Sequence, residues 1–341
     1  MENRDYLFDN AKGMLIFAVV LGHILEYDLT GIARAVYIVI YSVHMPLFVL
    51  ISGYFARFNA EKILKKLVAP YLAIQLVCTI FVSLFDVGGK SVQLTTPCWY
   101  LWYMPALAVW KISIPFIESA QGKKQRLILL GSVAVALVSG YDDTVGYYMS
   151  LSRIITFYPY FLFGYFAGKN KESNGKEYDF FSKLDRGKCK AVLISCVVLL
   201  FVISPRLDCR WLYGAYSYSQ IGYGPVHRFA GYVFGAAMSI CILKLMSREK
   251  SFVSEIGKKS MYIYLGHAPG VALFKKLCEK IYPIQNIAAK NSPLNMLWIS
   301  GRARQLLWIM LAVAGSAVIV GAFCLDFSRI NFCKKFVRKY A

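Results

Sequence analysis

The sequence predicts an all-α polytopic membrane protein with about ten transmembrane helices and both termini in the cytoplasm. The first observation is composition: of 341 residues, 57% are hydrophobic and 17% are charged. An ordinary soluble domain has roughly 45–50% apolar and about 25% charged residues, so a soluble globular protein is excluded. The second observation is spacing, because the apolar residues form blocks of roughly 13 to 23 residues along the chain, lengths suited to crossing hydrocarbon as helices.

Each predicted span is an apolar run bounded by charged or turn-forming residues. In order, the spans are 12–27, 33–55, 67–86, 98–117, 127–140, 150–168, 190–205, 228–246, 260–278 and 305–325. The first run has no small-residue cleavage site and further spans follow it, so it is predicted to be a retained helix rather than a signal peptide. With no internal repeat or separate soluble domain in view, residues 1–341 are predicted to form a single integral-membrane domain with a cytoplasmic tail at 326–341.

The formal net charge of +20 is the third observation. In a soluble chain it would suggest nucleic-acid binding, but here Lys and Arg lie in short loops between apolar blocks rather than on one face, so no nucleic-acid partner is predicted. Most of these cations fall in every second loop, and these loops lie on the same side of the membrane. The positive-inside rule therefore places that side, together with both termini, in the cytoplasm. The exception is residues 275–304, a predicted outer loop that carries Lys275, Lys276, Lys280, Lys290, Arg302 and Arg304.

The cysteines do not indicate a metal site. The nine of them form no CxxC pair and lie mostly inside apolar blocks, where cysteine behaves as a small hydrophobe. We therefore expect no zinc site and no disulfide framework. Cys98 and Cys209 both fall in predicted outer segments, which would allow one bridge between them.

The residues that stand out are histidines inside apolar spans. A histidine in hydrocarbon is costly and indicates a functional site by default. His23 follows Lys12 by eleven residues, which is about 20° past three full helical turns and about 16 Å along the axis, so the two share one helix face. This places a cation at the inner rim and an imidazole near the middle of the membrane. Alternatively, Lys12 is a topology anchor and His23 a satisfied polar group.

Two further histidines lie at intermediate depth. His44 is in the second span and is followed by Pro46, Ser52 and Gly53, which would also suit a kinked, closely packed helix. His267 lies in the ninth span. Three imidazoles on three helices could converge on one polar cavity, but their spacing in the sequence does not decide whether they do.

Other candidate site residues lie near the outer ends of the spans. Arg153 opens the sixth span and either snorkels to the interface or points inward as a fixed cation. Trp102 and Tyr103 begin the fourth span and fit an interface belt or a cleft wall. The predicted outer loop 206–228 contains Trp211, Tyr213 and Tyr216, which form either an aromatic belt or a platform for sugar rings. On physical grounds alone, an enzyme that moves a group within the membrane and a transporter remain equally good interpretations.

Several motifs together resemble the membrane-bound acyltransferase family 3. The first helix of that family has an Asp, then Arg or Lys with Gly, and ten residues between the cation and a His; Asp9, Lys12, Gly13 and His23 fit this pattern. Further resemblance lies in the segments VHMPLFVLISGYF, WYLWYMPAL, SRIITFYPYFLFGYFAG and SMYIYLGHAP. These motifs are spread over nearly the whole chain in the family's order, and the chain resembles the sugar O-acetylase branch related to fucose 4-O-acetylase.

The resemblance implies a multi-pass enzyme of the bacterial inner (cytoplasmic) membrane. It would move acetyl groups from cytosolic acetyl-CoA to a sugar hydroxyl of a surface polysaccharide, such as an exopolysaccharide, or of its lipid-linked precursor. The expected partners are acetyl-CoA as a substrate, the glycan or lipid-linked acceptor, membrane lipids and glycan-assembly proteins, with no tightly bound cofactor. The alternative is a transporter or flippase of a glycan intermediate.

The implied roles concern the polar residues already named. His23 would be the general base, and His267 or Arg153 would stabilise the oxyanion, unless a histidine first carries the acetyl group. Lys12 would hold a CoA phosphate or the Asp9 carboxylate, although lysine lacks the planar fork of the arginine that many members have. His44, Ser52, Trp102 and Tyr103 would support the site. No appended extracytoplasmic domain is seen, so the chain is expected to complete the transfer itself or with a separate partner.

Overall fold

The computed structural model describes residues 5–85, 96–98, 100–146, 148–173, 184–281 and 301–324. In these residues all regular secondary structure is helical. In chain order the α-helices are α1 (Leu7–Leu25), α2 (Gly31–Tyr54), α3 (Ala60–Ile63), α4 (Ala69–Phe85), α5 (Tyr103–Ile112), α6 (Ile114–Ile117), α7 (Lys123–Val138), α8 (Leu151–Ser173), α9 (Arg186–Ile203), α10 (Tyr218–Ile221), α11 (Pro225–Leu245), α12 (Phe252–Lys258), α13 (Ser260–Ile281) and α14 (Gly301–Cys324). A π-helical turn at Leu64–Val68 joins α3 to α4.

Five of the described helical segments are long and apolar enough to cross a membrane: Leu7–Leu25, Gly31–Tyr54, Ala60–Ile80, Pro225–Leu245 and Gln305–Cys324. The helical class and the membrane character are thereby confirmed. Other predicted spans are helical but less apolar or shorter; α9, for example, carries three cations in its first five residues, and α7 has 16 residues. The count of about ten spans and the cytoplasmic termini stay predictions, and the tail 326–341 lies outside the described residues.

The chain divides into two compact units, and the prediction of a single membrane domain stays a prediction. Among the described residues, the first unit contains α1, the part of α2 before Pro46, α9, the end of α11 from Ala237, and α12 to α14. The second contains the rest of α2, α3 to α8, α10 and the start of α11.

In the first unit, α1 packs against α12, α13 and α14. The approach of α1 to α12 is close because Gly13 and Gly257 have no side chain: a Cβ on Gly13 would overlap the Val253 carbonyl, and one on Gly257 would overlap the Asp9 carbonyl. Helix α12 was not predicted, since its seven residues are too few for an apolar period. Its signal is local instead, a capping box in which Ser251 and Ser254 each bond the other's backbone N–H.

In the second unit, α2 and α8 pack closely through small residues. A Cβ on Gly53 would overlap the Phe161 carbonyl, and a Cβ on Gly164 would overlap the Leu50 carbonyl. The helix-packing interpretation of the Ser52-Gly53 segment therefore holds for Gly53. The predicted span 98–117 differs, because its helical part is divided into α5 and α6 at Ser113, just before Ile114 and Pro115, where the proline lacks a backbone N–H.

Candidate active site

His23 lies in the last turn of α1, next to the carboxylate of Glu26. The His23 Nδ1 is 3.2 Å from Glu26 Oε1, and the Tyr41 hydroxyl is 3.3 Å from the same nitrogen. Tyr41 also donates a hydrogen bond of 2.6 Å to Glu26 Oε1. Because a carboxylate can only accept, it selects the tautomer of a neutral His23 that carries its proton on Nδ1, and Nε2 is then the basic nitrogen.

The local sequence explains this arrangement. His23 and Glu26 are three residues apart, a spacing that places side chains on one helix face, and Glu26 follows directly after the end of α1. On α2, Tyr37, Tyr41 and His44 are spaced by four and three residues and also share a face. Two helix faces rich in polar and aromatic groups therefore supply the same site.

Glu26 is the point at which four side chains meet. Besides His23 and Tyr41, Tyr37 donates to Oε1 at 3.3 Å, and the Lys275 ammonium lies 3.8 Å from Oε2. Burial alone would raise the pKa of Glu26, but the hydrogen bonds from His23 and Tyr41, together with the charges of His23 and Lys275, leave that pKa below its ordinary value. Glu26 therefore remains a carboxylate at neutral pH.

His267 on α13 stacks on His23. The ring centroids are 5.4 Å apart and the planes differ by 18°, and His267 is fully buried. Its Nδ1–H donates to the carbonyls of Tyr264 and Ile263 at 2.7 and 3.2 Å. As in His23, Nδ1 carries the proton of the neutral ring, so Nε2 is the basic nitrogen.

His44 has the same backbone-bonded geometry. Its Nδ1–H donates to the Ile40 carbonyl at 2.8 Å, and its ring meets the Tyr41 ring edge-on at 4.6 Å. The structure thus brings together the three histidines that were predicted to lie within the membrane: His23 and His267 are in ring contact, and His44 contacts Tyr41, which in turn contacts His23. Whether each has the role expected from the sequence stays a prediction.

At the other end of α1, Lys12 pairs with Asp9. The Lys12 Nζ is 2.9 Å from Asp9 Oδ1, and the lysine side chain retains 28% of its exposure. Helix α1 is continuous from Leu7 to Leu25, so Lys12 and His23 keep the expected spacing of about 16 Å along the helix axis. The predicted contact between Lys12 and the Asp9 carboxylate is therefore present, and the contact with a CoA phosphate stays a prediction.

Seven other predicted site residues belong to the second unit: Arg153, Ser52, Trp102, Tyr103 and the aromatic residues Trp211, Tyr213 and Tyr216. The guanidinium of Arg153 lies over the Trp102 ring at 5.2 Å, and its Nε donates to the Tyr213 carbonyl at 3.2 Å. The hydroxyls of Ser52 and Tyr103 are 2.5 Å apart. Trp102 and Tyr103 are both buried, which places them inside this unit rather than in an exposed belt.

The aromatic residues of segment 206–228 pack on one another. Trp211 stacks on Tyr223 at 5.7 Å and lies 4.8 Å from the His227 ring, while its Nε1 donates to the Ile221 carbonyl at 3.2 Å. Tyr213 and Tyr216 are half-buried, with centroids 6.4 Å apart. The three predicted platform residues are thus held in a folded loop. The rings of Tyr223 and His227, which pack against Trp211, were not predicted to lie there.

Sequence reasoning missed three residues of the site, namely Glu26, Tyr41 and Lys275. For Glu26 a signal existed, because a carboxylate three residues after a buried histidine lies on its helix face. Lys275 was counted among the cations of a predicted outer loop, but it is helical: α13 continues to Ile281, and Lys275 lies within it, near Glu26. The side of the membrane on which it lies stays a prediction.

Comparisons with known proteins show a family match over most of the chain and two curated relatives that match a short part of it. A family model described as an acyltransferase domain matches residues 5–327. The nodulation protein NolL of Mesorhizobium japonicum is 47% identical over 58 residues, and NolL of Sinorhizobium fredii is 44% identical over 64 residues. Each alignment covers 16% of this chain and 16% of the relative, so the matched part is a small share of these curated proteins. No solved structure matches the chain.

Proposed function

Because the chain belongs to the acyltransferase family whose model spans residues 5–327, we propose that it is an integral-membrane O-acetyltransferase of the bacterial inner membrane. It moves an acetyl group from acetyl-CoA to a sugar hydroxyl of a surface polysaccharide or of its lipid-linked precursor. The observation that carries the proposal is the Glu26–His23 pair, a carboxylate bound to Nδ1 of an imidazole within the helical unit. A histidine oriented by a carboxylate is suited to take a proton from a hydroxyl.

In the proposed reaction, His23 Nε2 removes the proton of the sugar hydroxyl as its oxygen attacks the thioester carbonyl. The new C–O bond gives a tetrahedral intermediate, and the C–S bond then breaks. The imidazolium returns its proton to the departing CoA sulfur, so the products are the O-acetyl ester and free CoA. Glu26 stabilises the imidazolium through Nδ1–H while the charge is present.

His267 contributes most naturally as a neutral ring. Its Nδ1–H is donated to backbone carbonyls, so Nε2 would donate to an oxyanion only after protonation. A second positive charge 5.4 Å from the His23 imidazolium would be repelled. We therefore favour His267 as a support that fixes the His23 ring plane over the oxyanion role expected from the sequence. A histidine that carries the acetyl group would instead retain labelled acetate on the protein when no acceptor is present.

The first prediction concerns Gly22, beside His23. A Cβ at this position would lie 2.9 Å from a Tyr41 ring carbon. Gly22→Val should displace Tyr41 from Glu26 and lower the transfer rate on the order of 10- to 100-fold, since small misplacements of catalytic groups have effects of this size. Gly131→Val on α7 is the matched control, because a Cβ there meets nothing within 4 Å. Equal rates for the two variants, measured as CoA release, would remove Tyr41 from the mechanism.

Lys12 is the proposed contact for the donor. It lies about 16 Å from His23 along α1, and in CoA the pantetheine arm separates the anionic nucleotide from the thioester. A phosphate held at Lys12 with the thioester at His23 therefore suits the chemistry of the donor. Lys12 would exchange its ion pair with Asp9, in whole or in part, for the phosphate.

The second prediction concerns this contact. Lys12→Ala should raise the acetyl-CoA concentration needed for half-maximal rate by roughly 10-fold or more, because a charge-assisted hydrogen bond is lost. Since this change also removes the ion pair of Asp9, the double variant Asp9→Asn/Lys12→Gln shows whether the effect follows the cation alone. Lys124→Ala, an exposed lysine on α7, serves as the control. An unchanged acetyl-CoA dependence in both Lys12 variants would remove Lys12 from donor binding.

For the acceptor, we propose segment 206–228. Tyr213 and Tyr216 are half-buried, and the Arg210 guanidinium lies 5.9 Å from the Tyr216 ring centre. Aromatic faces suit the C–H faces of sugar rings, and arginine can donate to hydroxyls. Packing against Tyr223 and His227 makes Trp211 a support of this surface as well as a contact.

The test in cells is the O-acetyl content of surface glycans, measured by mass spectrometry with and without the gene. The proposal expects acetyl esters to disappear while the glycan backbone remains at the surface. A flippase or exporter of a glycan intermediate would produce the reverse, with less surface glycan and unchanged acetylation of what remains. The proposal fails in the second case.

A further inference from the structure

The structure contains two pairs of neighbouring thiols that the proposed reaction does not use. In the second unit, the Cys98 thiol is in hydrogen-bonding contact with the Cys78 thiol. In the first unit, the Cys241 thiol is in the same kind of contact with the Cys189 thiol. All four are cysteines without a disulfide in the structure, and Cys78 and Cys98 are half-buried.

A buried glutamine fixes the approach of Cys98 to α4. The Gln75 Nε2 donates to the Thr96 carbonyl at 3.0 Å, and the Cys98 backbone N–H donates to Gln75 Oε1 at 2.7 Å. Gln75 is only 4% exposed, and Cys78 lies three residues further along the same helix face. These two hydrogen bonds between the Gln75 side chain and the backbone therefore hold the backbone of Cys98 beside α4, close to Cys78. The Cys98–Cys209 bridge allowed by the sequence is absent.

The flanking cations assign the two pairs to opposite membrane faces. Arg57, Lys62, Lys65 and Lys66 lie at the start of the helical segment that holds Cys78, and Cys78 follows Lys62 by about 24 Å of helix. The positive-inside rule therefore puts Cys78 toward the outer face. Cys189, in contrast, lies between Lys188 and Lys190, at a predicted inner end.

We propose that Cys78 and Cys98 are an oxidation site that forms a disulfide on the outer side of the membrane, whereas Cys189 and Cys241 remain thiols. The thiolate of one cysteine attacks the disulfide of a thiol–disulfide oxidoreductase or of a small disulfide, forming a mixed disulfide. The second thiolate displaces the carrier sulfur. The pair loses two electrons and two protons, and the carrier leaves as two thiols. The outer compartment is oxidising and the cytosol is reducing, which separates the two pairs.

A disulfide between Cys78 and Cys98 would link residue 98 to α4 and close a loop from residue 78 to residue 98. A cross-link over a segment of this length restricts the unfolded chain and stabilises the folded one. This inference does not rest on the proposed function, since it concerns neither the histidines nor the substrates.

Differential alkylation of the full-length protein tests it. Membranes are quenched with N-ethylmaleimide under denaturing conditions, reduced, and labelled with a heavier maleimide, before and after incubation with oxidised glutathione. The expected result is heavy label on Cys78 and Cys98, light label on Cys189 and Cys241, and a linked Cys78–Cys98 peptide without reduction. In Cys78→Ser, Cys98 should take the light label, whereas Cys241→Ser should leave the Cys78–Cys98 link intact.

The proposal is overturned if Cys78 and Cys98 carry light label even after oxidised glutathione, or if Cys98 is linked to Cys209. A stability measurement provides an independent check. Reduction should lower the thermal midpoint of the wild-type protein but not that of Cys78→Ser/Cys98→Ser. An equal shift in both proteins would show that no stabilising bond joins this pair.

Discussion

Replacing His23 by alanine or glutamine is expected to lower the rate of acetyl transfer by roughly 10²- to 10⁴-fold, the range typical of a lost general base. Glutamine is the sharper variant, because its amide can donate to Glu26 as His23 Nδ1–H does but cannot take a proton from a hydroxyl. The expected loss is in kcat, since the base acts on the chemical step. A His23→Gln protein with a near wild-type rate would remove His23 as the base.

The measurement needs a check that the helices remain packed. Circular dichroism and the thermal midpoint of the purified variants should match those of the wild-type protein, because His23 is half-buried at the end of α1 rather than in its packed middle. Binding of acetyl-CoA should also persist, since Lys12 lies at the other end of the helix. A variant that binds donor but does not transfer acetyl separates catalysis from folding.

Glu26→Gln is expected to lower the rate by roughly 10²-fold or more, because the amide can present its N–H to Nδ1 and favour the wrong imidazole tautomer. The imidazolium that forms during proton transfer also loses the carboxylate that stabilises it, so the loss is expected in kcat.

Two controls separate this effect from a general loss of charge. Glu26→Asp keeps the carboxylate and should retain more activity than Glu26→Gln. Glu172→Gln removes an exposed carboxylate that pairs with Arg57 in the second unit and should leave the rate unchanged. If Glu26→Gln keeps a near wild-type rate, the carboxylate does not act through His23.

The sequence predicts those features of the site that lie within one helix. Lys12 and His23 share a face because helical geometry is periodic, and α1 contains both residues without a break. The contact between His23 and His267 joins helices that are distant in the chain, and a single sequence does not indicate which distant helices pack together. Tyr41 was missed for the same reason, since its contacts with His23 and Glu26 join two different helices.

Other errors arose because charge and the length of apolar runs were taken as sufficient to assign loops and spans. Lys275 looked like an outer-loop charge, but it lies in α13, where the Glu26 carboxylate offsets its cost of burial. Residues 98–102 looked like the start of a span because they are apolar and rich in aromatic residues, yet α5 begins at Tyr103. Trp102 and Tyr103 are buried among side chains such as Phe157 and Ser52, contacts that composition does not reveal.

Release of CoA is the decisive measurement of whether the Glu26–His23 pair transfers acetyl groups. Purified protein is incubated with acetyl-CoA and the isolated glycan acceptor, and free CoA thiol and new O-acetyl esters are measured in the same sample. One ester is expected for each CoA released, with both signals absent in His23→Gln. Glycan movement across vesicles without CoA release, or equal ester formation by His23→Gln, would show that the pair does not carry out the transfer.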